Sequence, residues 1–358
     1  MLIGICGAKC AGKSTIAQYL IDHHGFGKLC LDASAPQNEI PSEAAKTAPG
    51  LVTPGGTETN LSSHHKQTST SYTFWTAAEL LSFVTKNWRS RWVTTDIFDE
   101  GTLDALSRRP FFILISVDAP LAVRWRRYQQ RYNTQLEKDP ISLEDFVSKS
   151  DQHLYDASTG VLPLMSRATI RLLNTSADLA HLYATLGKLD LTNPDRLRPS
   201  WDSYFMSLAS LAAQRCNCMK RAVGCVLVDS KHHVISTGYN GTPRHLLNCG
   251  EGGCPRCNSG ENSGLSLATC LCLHAEENAL LEAGRERIRD GSVLYCNTCP
   301  CLTCSIKIVQ VGISEVVYSQ GYSMDTEAAL IFRSAGIKLR QFSPPANGLV
   351  HLEKMDSY

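Results

Sequence analysis

The chain has 358 residues, 43% of them apolar, which is long enough for two cores of ordinary domain size. Its formal net charge of +1 gives no basic footprint of the kind nucleic-acid binders carry, so a small-molecule partner is expected and nucleic acid is not. The first residues lack a signal-peptide core and no later run approaches the roughly 20 apolar residues of a membrane span, which predicts an intracellular chain, cytoplasmic or nuclear, with no membrane partner.

Residues 2–6 (LIGIC) are an apolar run that enters Gly7-Ala8-Lys9-Cys10-Ala11-Gly12-Lys13-Ser14. This matches G-x-x-x-x-G-K-[ST], with a strand before it and a helix from Lys13 after it. Backbone N–H groups of such a loop cradle phosphates, Lys13 reaches the β/γ-phosphate and Ser14 helps hold Mg²⁺. Gly7, Gly12, Lys13 and Ser14 are therefore candidate nucleotide-binding residues. Residues 34–73, rich in Ser, Thr, Pro, Gly and His, read as a disordered insert. A helix near 76–88 and strands at 92–98 and 111–117 follow, with Asp96 a weak candidate for an acid near Mg²⁺. The stretch VDAPLAVRWRRYQQR resembles the lid region of nucleoside-monophosphate and dephospho-coenzyme A kinases. That resemblance brings Arg124, Arg126, Arg127 and Arg131 toward phosphates, whereas composition alone slightly favours a solvated basic face. With a strand near 169–173 and a helix at 177–188, the β/α alternation predicts a parallel sheet. Residues 1–190 are thus read as a P-loop, nucleoside-monophosphate-kinase-like domain. The insert interrupts the region of a kinase acceptor site, so nucleotide binding is expected rather than turnover. Residues 191–200, with Pro194 and Pro199, read as a linker, and 201–358 as a second domain.

That domain opens with an amphipathic helix at 201–215, where Trp201, Tyr204, Phe205, Leu208, Leu211 and Ala212 recur at helical spacing. Strands at 223–229 and 233–239 precede a long Cys/Gly/Asn-rich loop, 240–272. A helix closed by Gly284, a strand at 293–297, a helix at 301–311, a strand at 314–318, a helix near 325–335 and a strand near 337–342 complete it. The order predicts a mixed sheet flanked by helices.

Of the 15 cysteines, twelve fall between Cys216 and Cys304, a density that in a reducing compartment points to metal–thiolate chemistry. A catalytic zinc needs three protein ligands and one open position. His274 can give an imidazole. Cys301 and Cys304, three apart at a helix start, have Cβ atoms about 5–6 Å apart on one face. The helix N-terminus lowers their thiol pKa. Strand alternation and the P-C-x-x-C frame favour this pair over Cys296 and Cys299. Glu276, two residues beyond His274, need not be a ligand. It can accept a proton from water activated at the metal, and then protonate N3 and the departing amine of a cytosine. His274-Ala275-Glu276 with Pro300-Cys301-Leu302-Thr303-Cys304 is the signature of zinc nucleobase deaminases. A purely structural zinc knot is the competing reading, and Glu276 at this offset argues against it.

The run Gly238-Tyr239-Asn240-Gly241-Thr242-Pro243-Arg244-His245, together with LCLHAEENALLEAG and TCPCLTC, resembles deoxycytidylate deaminases of the fungal type over about residues 199–342. The resemblance implies a cytidine-deaminase fold and hydrolysis of dCMP to dUMP and ammonia for thymidylate synthesis. It also implies a homohexamer with dCTP and dTTP as effectors, Mg²⁺ accompanying dCTP or a nucleotide at the P-loop. Asn240 would contact sugar or base, Tyr322 would line the nucleotide pocket, and Ala275 N–H would face the base carbonyl. Lys220, Arg221, Arg244 and His245 are candidate donors to a 5′-phosphate, each balanced by the reading of a solvated charge. A second, structural zinc would take Cys218, Cys249 and Cys272, with Cys257 as fourth ligand and Cys254 a close competitor. Two alternatives remain: a deaminase of another cytosine or adenine substrate, RNA included, and a nucleotide-sensing protein whose zinc is structural.

Overall fold

The structure is a computed structural model that describes residues 1–32, 71–134, 141–176, 178–260, 269–321, 325–343, 345 and 348–352. The chain divides into two compact units: one runs to Leu197 and resumes after Pro345, and the other spans Arg198–Pro345.

The first unit is a seven-stranded, fully parallel sheet. In chain order it comprises β1 (Leu2–Gly7), α1 (Lys13–His24), β2 (Gly27–Leu31), β3 (Ser71–Phe74), α2 (Ala77–Lys86), β4 (Trp92–Thr94) and α3 (Glu100–Ser107). Then follow β5 (Phe112–Asp118), α4 (Leu121–Thr134), α5 (Leu143–Tyr155), α6 (Leu162–Ser166), β6 (Ile170–Leu173) and α7 (Leu179–Leu189). Every residue of β1 is buried, as a central parallel strand covered on both faces must be. The register sets Ile3 between Val93 and Ile113.

Several expectations change here. The strand foreseen over 92–98 stops at Thr94, because Asp96 turns its carboxylate to Leu31 N–H (3.1 Å) and its own N–H to Thr94 Oγ1 (3.2 Å). The expected insert at 34–73 ends too late: 71–73 belong to β3, where Tyr72 and Phe74 pack on Phe83. Residues 33–70 lie outside the described set. The second domain does not run to 358 either, since β12 (Gly348–His351) pairs with β6 and completes the first sheet.

The second unit is a five-stranded mixed sheet, order β11-β10-β9-β7-β8. Its elements are α8 (Trp201–Ala213), β7 (Gly224–Val228), β8 (Val234–Tyr239), the short α9 (Pro255–Asn258), α10 (Ala275–Ala283) and β9 (Val293–Thr298). They continue with α11 (Leu302–Gln310), β10 (Glu315–Gln320), α12 (Asp325–Ser334) and β11 (Lys338–Gln341). Strand alternation sorts two cores. Val226, Val228 and Tyr295 face Phe205, Met206 and Ala209 of α8, while Cys225, Leu227, Leu294 and Cys296 face Ala275, Ala279, Cys304 and Ile308. Helix α8 seats a different stripe from the one foreseen. Phe205, Met206, Ala209 and Ala213 are buried, whereas Trp201, Tyr204 and Leu211 are exposed. The approach of α8 to β7 decides this, because a Cβ on Gly224 would stand 2.0 Å from Ala209 O. Small residues at 209 and 213 must therefore face the sheet. Among the described residues no helix is long and apolar enough to cross a membrane.

Candidate metal centre and phosphate loop

The N-termini of α10 and α11 converge. His274 is the N-cap of α10, but its side chain makes no capping bond. Instead Nδ1 lies 3.4 Å from Cys301 Sγ and 3.4 Å from Cys304 Sγ. Cys301 is the N-cap of α11 and Cys304 sits in its first turn. Tetrahedral arms of about 2.0 Å to nitrogen and about 2.3 Å to sulfur would separate such atoms by about 3.5 Å, so the three donors fit one zinc. Cys304 hydrogen-bonds Cys301 and holds its thiol down to about 4, and the same bond pushes Cys304 up. Cys296 faces Cys225 across β9 and β7 inside the core, so it is spent on packing.

Glu276 is 4% exposed, in the first turn of α10. Burial pushes its carboxyl up to about 7, opposed by its own backbone N–H and the His274 imidazole. A carboxyl with that pKa changes hands with a proton easily near neutrality. Ala275 N–H, expected to face a base carbonyl, donates to Asn240 Oδ1 at 2.7 Å. The physical reason is the idle N-cap: with the His274 ring turned to the sulfurs, Asn240 supplies the missing acceptor. A Cβ on Gly238 would meet Ala275 O at 2.1 Å, so only glycine lets β8 carry Asn240 this close to α10.

Gly241 and Leu273 exchange two backbone bonds (3.2 and 2.8 Å), closing the cysteine-rich loop at a neck beside His274. Asn217, which sequence patterning missed, ties that neck: Oδ1 accepts from Thr242 N–H (3.1 Å) and Nδ2 donates to Asn248 Oδ1 (2.9 Å). Beyond it, Cys218, Cys249, Cys257 and Cys272 bring their sulfurs within 4.8 Å of one another, and so do Cys254, Cys257, Cys270 and Cys272. Of the candidate phosphate donors, Arg244 pairs with Glu282 at 2.8 Å on the surface. Tyr322 lies outside the described residues.

In the first unit, Gly7 (φ 139°), Cys10 (φ 60°) and Gly12 (φ 109°) bend the loop between β1 and α1. Lys13 Nζ donates to Gly7 O (2.7 Å) and Ala8 O (3.1 Å). The basic helix α4 is not a solvated face throughout. Arg124 is buried against Ala119 O (2.9 Å), and Arg127 donates to Ala11 O (3.0 Å) and Ser176 O (2.8 Å). A cavity of about 390 Å³ beside the loop is lined by Gly12, Arg126, Arg127, Arg131, Asn174 and Thr175, among others.

Residues 199–320 match the cytidine and deoxycytidylate deaminase zinc-binding region. The deoxycytidylate deaminase of Schizosaccharomyces pombe is 45% identical over 97% of this chain and 99% of its own. The chain belongs to the deoxycytidylate deaminase family. It is an enzyme of α/β architecture whose mixed sheet is that of the cytidine-deaminase fold. A second member, from Saccharomyces cerevisiae, is 50% identical over 96% of this chain and 97% of its own. A solved dCMP deaminase from cyanophage S-TIM5, in complex with dCMP and dUMP, is 27% identical over 40% of this chain and 98% of its own, with a TM-score of 0.33.

Proposed function

We propose that Glu276 is the proton carrier in the hydrolytic deamination of dCMP to dUMP and ammonia, at a zinc held by His274, Cys301 and Cys304. The observation that carries it is a buried carboxyl two residues from an imidazole that two sulfurs flank at 3.4 Å. When bound, zinc supplies the Lewis acidity that makes water nucleophilic near neutral pH. Glu276 takes a proton from the attacking water, delivers it to N3 as C4 is attacked, and then carries the proton of the new C4 hydroxyl to the amino group, which leaves as ammonia. Ala275 N–H and Asn240 form one polar pair at the same helix end, and a pyrimidine carbonyl and a sugar hydroxyl can replace their mutual bond.

Family membership supports dCTP and dTTP as effectors and a homohexameric assembly. Lys220, Arg221, Arg244 and His245 are the candidate donors to the 5′-phosphate. A structural zinc on Cys218, Cys249, Cys257 and Cys272 would serve as core for a loop with little apolar material. The loop Gly7–Ser14 and its cavity fit a nucleotide with Mg²⁺, its phosphates on Gly7, Gly12, Lys13 and Ser14. The bends at Gly7 and Gly12 and the arginines lining the cavity support that reading.

Product analysis with dCMP, dCTP, deoxycytidine and CMP, with and without dCTP as effector, tests the reading. Turnover confined to the monophosphate supports it, and equal rates on deoxycytidine would remove the phosphate donors. ATP consumption with dCMP, dUMP or dTMP that Lys13→Ala abolishes would turn the first unit from a binding module into a kinase.

A further inference from the structure

Six cysteines outside the catalytic centre form one cluster: Cys249, Cys254, Cys257 and Cys272 are buried together, and Cys218 and Cys270 pack against them. They make two sets of four, and Cys257 and Cys272 belong to both. We propose that the cluster is binuclear, two Zn²⁺ ions joined by the bridging thiolates of Cys257 and Cys272, with Cys218 and Cys249 completing one ion and Cys254 and Cys270 the other. The proposal rests on the structural-zinc reading above for its first ion and adds the second.

Sulfur spacing is the first argument. Zn–S arms of about 2.3 Å put the sulfurs of a tetrahedron about 3.8 Å apart. Cys254–Cys270 (3.9 Å), Cys257–Cys270 (3.8 Å) and Cys257–Cys272 (3.9 Å) are all edges of the second set. Cys218–Cys257, at 4.0 Å, is an edge of the first. Both sets therefore contain edges of tetrahedral length, and their remaining sulfur separations stay within 4.8 Å. Disulfides would bring sulfurs to about 2 Å, and all six cysteines are free.

The surroundings are the second argument. Ligand sulfurs are held by donors behind them, and each end of the cluster has one. Met219 N–H lies 3.5 Å from Cys249 Sγ, and Leu271 N–H lies 3.4 Å from Cys254 Sγ. Arg256, only 8% exposed, hydrogen-bonds to Cys257 and Cys270. Cys270 has no place in the first set. A buried guanidinium needs hydrogen-bond partners, and Cys270 together with Cys257 supplies them. One ion could hold four of the six sulfurs and would leave Cys254 and Cys270, with their donor and their cation, serving no ligand. Two ions use all six and give each a coordination number of four.

Metal analysis of the full-length protein in reducing buffer should return about three zinc ions per chain, one catalytic and two in the cluster. Cys270→Ser and Cys254→Ser each remove a terminal ligand of the second ion only, and should lower the count by one. Cadmium-substituted protein should show two tetrathiolate resonances coupled through the shared sulfurs, and Cys270→Ser should abolish both the coupling and one resonance. Should that variant fail to fold, the coupling in the unmodified protein decides alone. About two ions per chain with a single uncoupled tetrathiolate resonance would overturn the bridge and leave the one-ion loop standing. About one ion per chain would overturn both.

Discussion

The second unit uses sulfur twice, in opposite ways. Cys301 and Cys304 stand at the start of a helix whose inner face, through Ile308, packs into the core beneath the sheet. Backbone and core hold them at ligand spacing with His274. The six-cysteine cluster draws its residues from a loop and short turns, and its own buried members are the cysteines themselves. One site is a rigid scaffold offered to a metal. The other, on the proposal above, is a segment that a metal would organise, because few apolar side chains offset its ordering entropy. The proposed catalytic centre thus stands on regular elements packed into a core, and the cluster on a loop whose buried members are its own cysteines.

The sharpest break of that comparison is Cys272→Ser, which touches both tetrads and adjoins the Leu273–Gly241 neck. Structural zinc contributes roughly 10–16 kcal/mol to the fold it organises, so the loop should lose its metal and its hydrogen-exchange protection. Because Asn240 and His274 flank that neck, activity should fall with it. Retention of protected amides around 249–258 would show the loop orders itself.

Glu276→Gln comes next. Turnover should drop by about 10²–10⁴-fold while zinc content and melting temperature hold, since proton transfer is lost and the scaffold is not. A parallel loss of zinc would make Glu276 a ligand instead. Gly238→Ala probes the scaffold directly: the added methyl meets Ala275 O and Ala279 N–H at the root of α10. Overpacking there should cost about 1–3 kcal/mol in denaturant unfolding and displace Asn240, raising KM as well. An unchanged KM would show that α10 absorbs the methyl without moving Asn240.

The smallest effect concerns a polar tie that joins α8, β9 and β11. Asp202 of α8 accepts from Arg340 of β11 (2.7 and 3.0 Å) and from Tyr295 of β9 (2.9 Å). Arg340 holds the Asp202 carboxyl below its ordinary value, with burial opposing. A depressed carboxylate pKa contributes stability above the unfolded value near 4 that is lost as pH falls through the folded one. Asp202→Asn should therefore cost about 1–2 kcal/mol at neutral pH, and its deficit against the unmodified chain should shrink below about pH 4. A deficit that stays constant with pH would show the tie contributes by shape alone.

Much of this was legible in the residues themselves. His274-Ala275-Glu276 and the Cys301/Cys304 spacing act within a helical turn, where sequence separation is spatial separation. The apolar run of β1 and the glycines of the loop after it, Gly7 and Gly12, are legible for the same reason. What escaped was contact across the chain. The apolar residues of α8 suggested a face containing Trp201 and Leu211, but Gly224 of β7 chose the stripe through Ala209 and Ala213. The return of β12 to the first sheet left no local signature, since a four-residue strand is placed by its partner β6.

Read alone, the residues lay out an imidazole, two thiols and a carboxylate at helix starts, in the signature of a zinc deaminase. Only the tertiary structure decided which of six cysteines meet which, and that Asn240 caps the helix its neighbour the histidine leaves uncapped. Local spacing fixes what a single turn can hold, whereas loop closure and strand register fix which distant turns share a site.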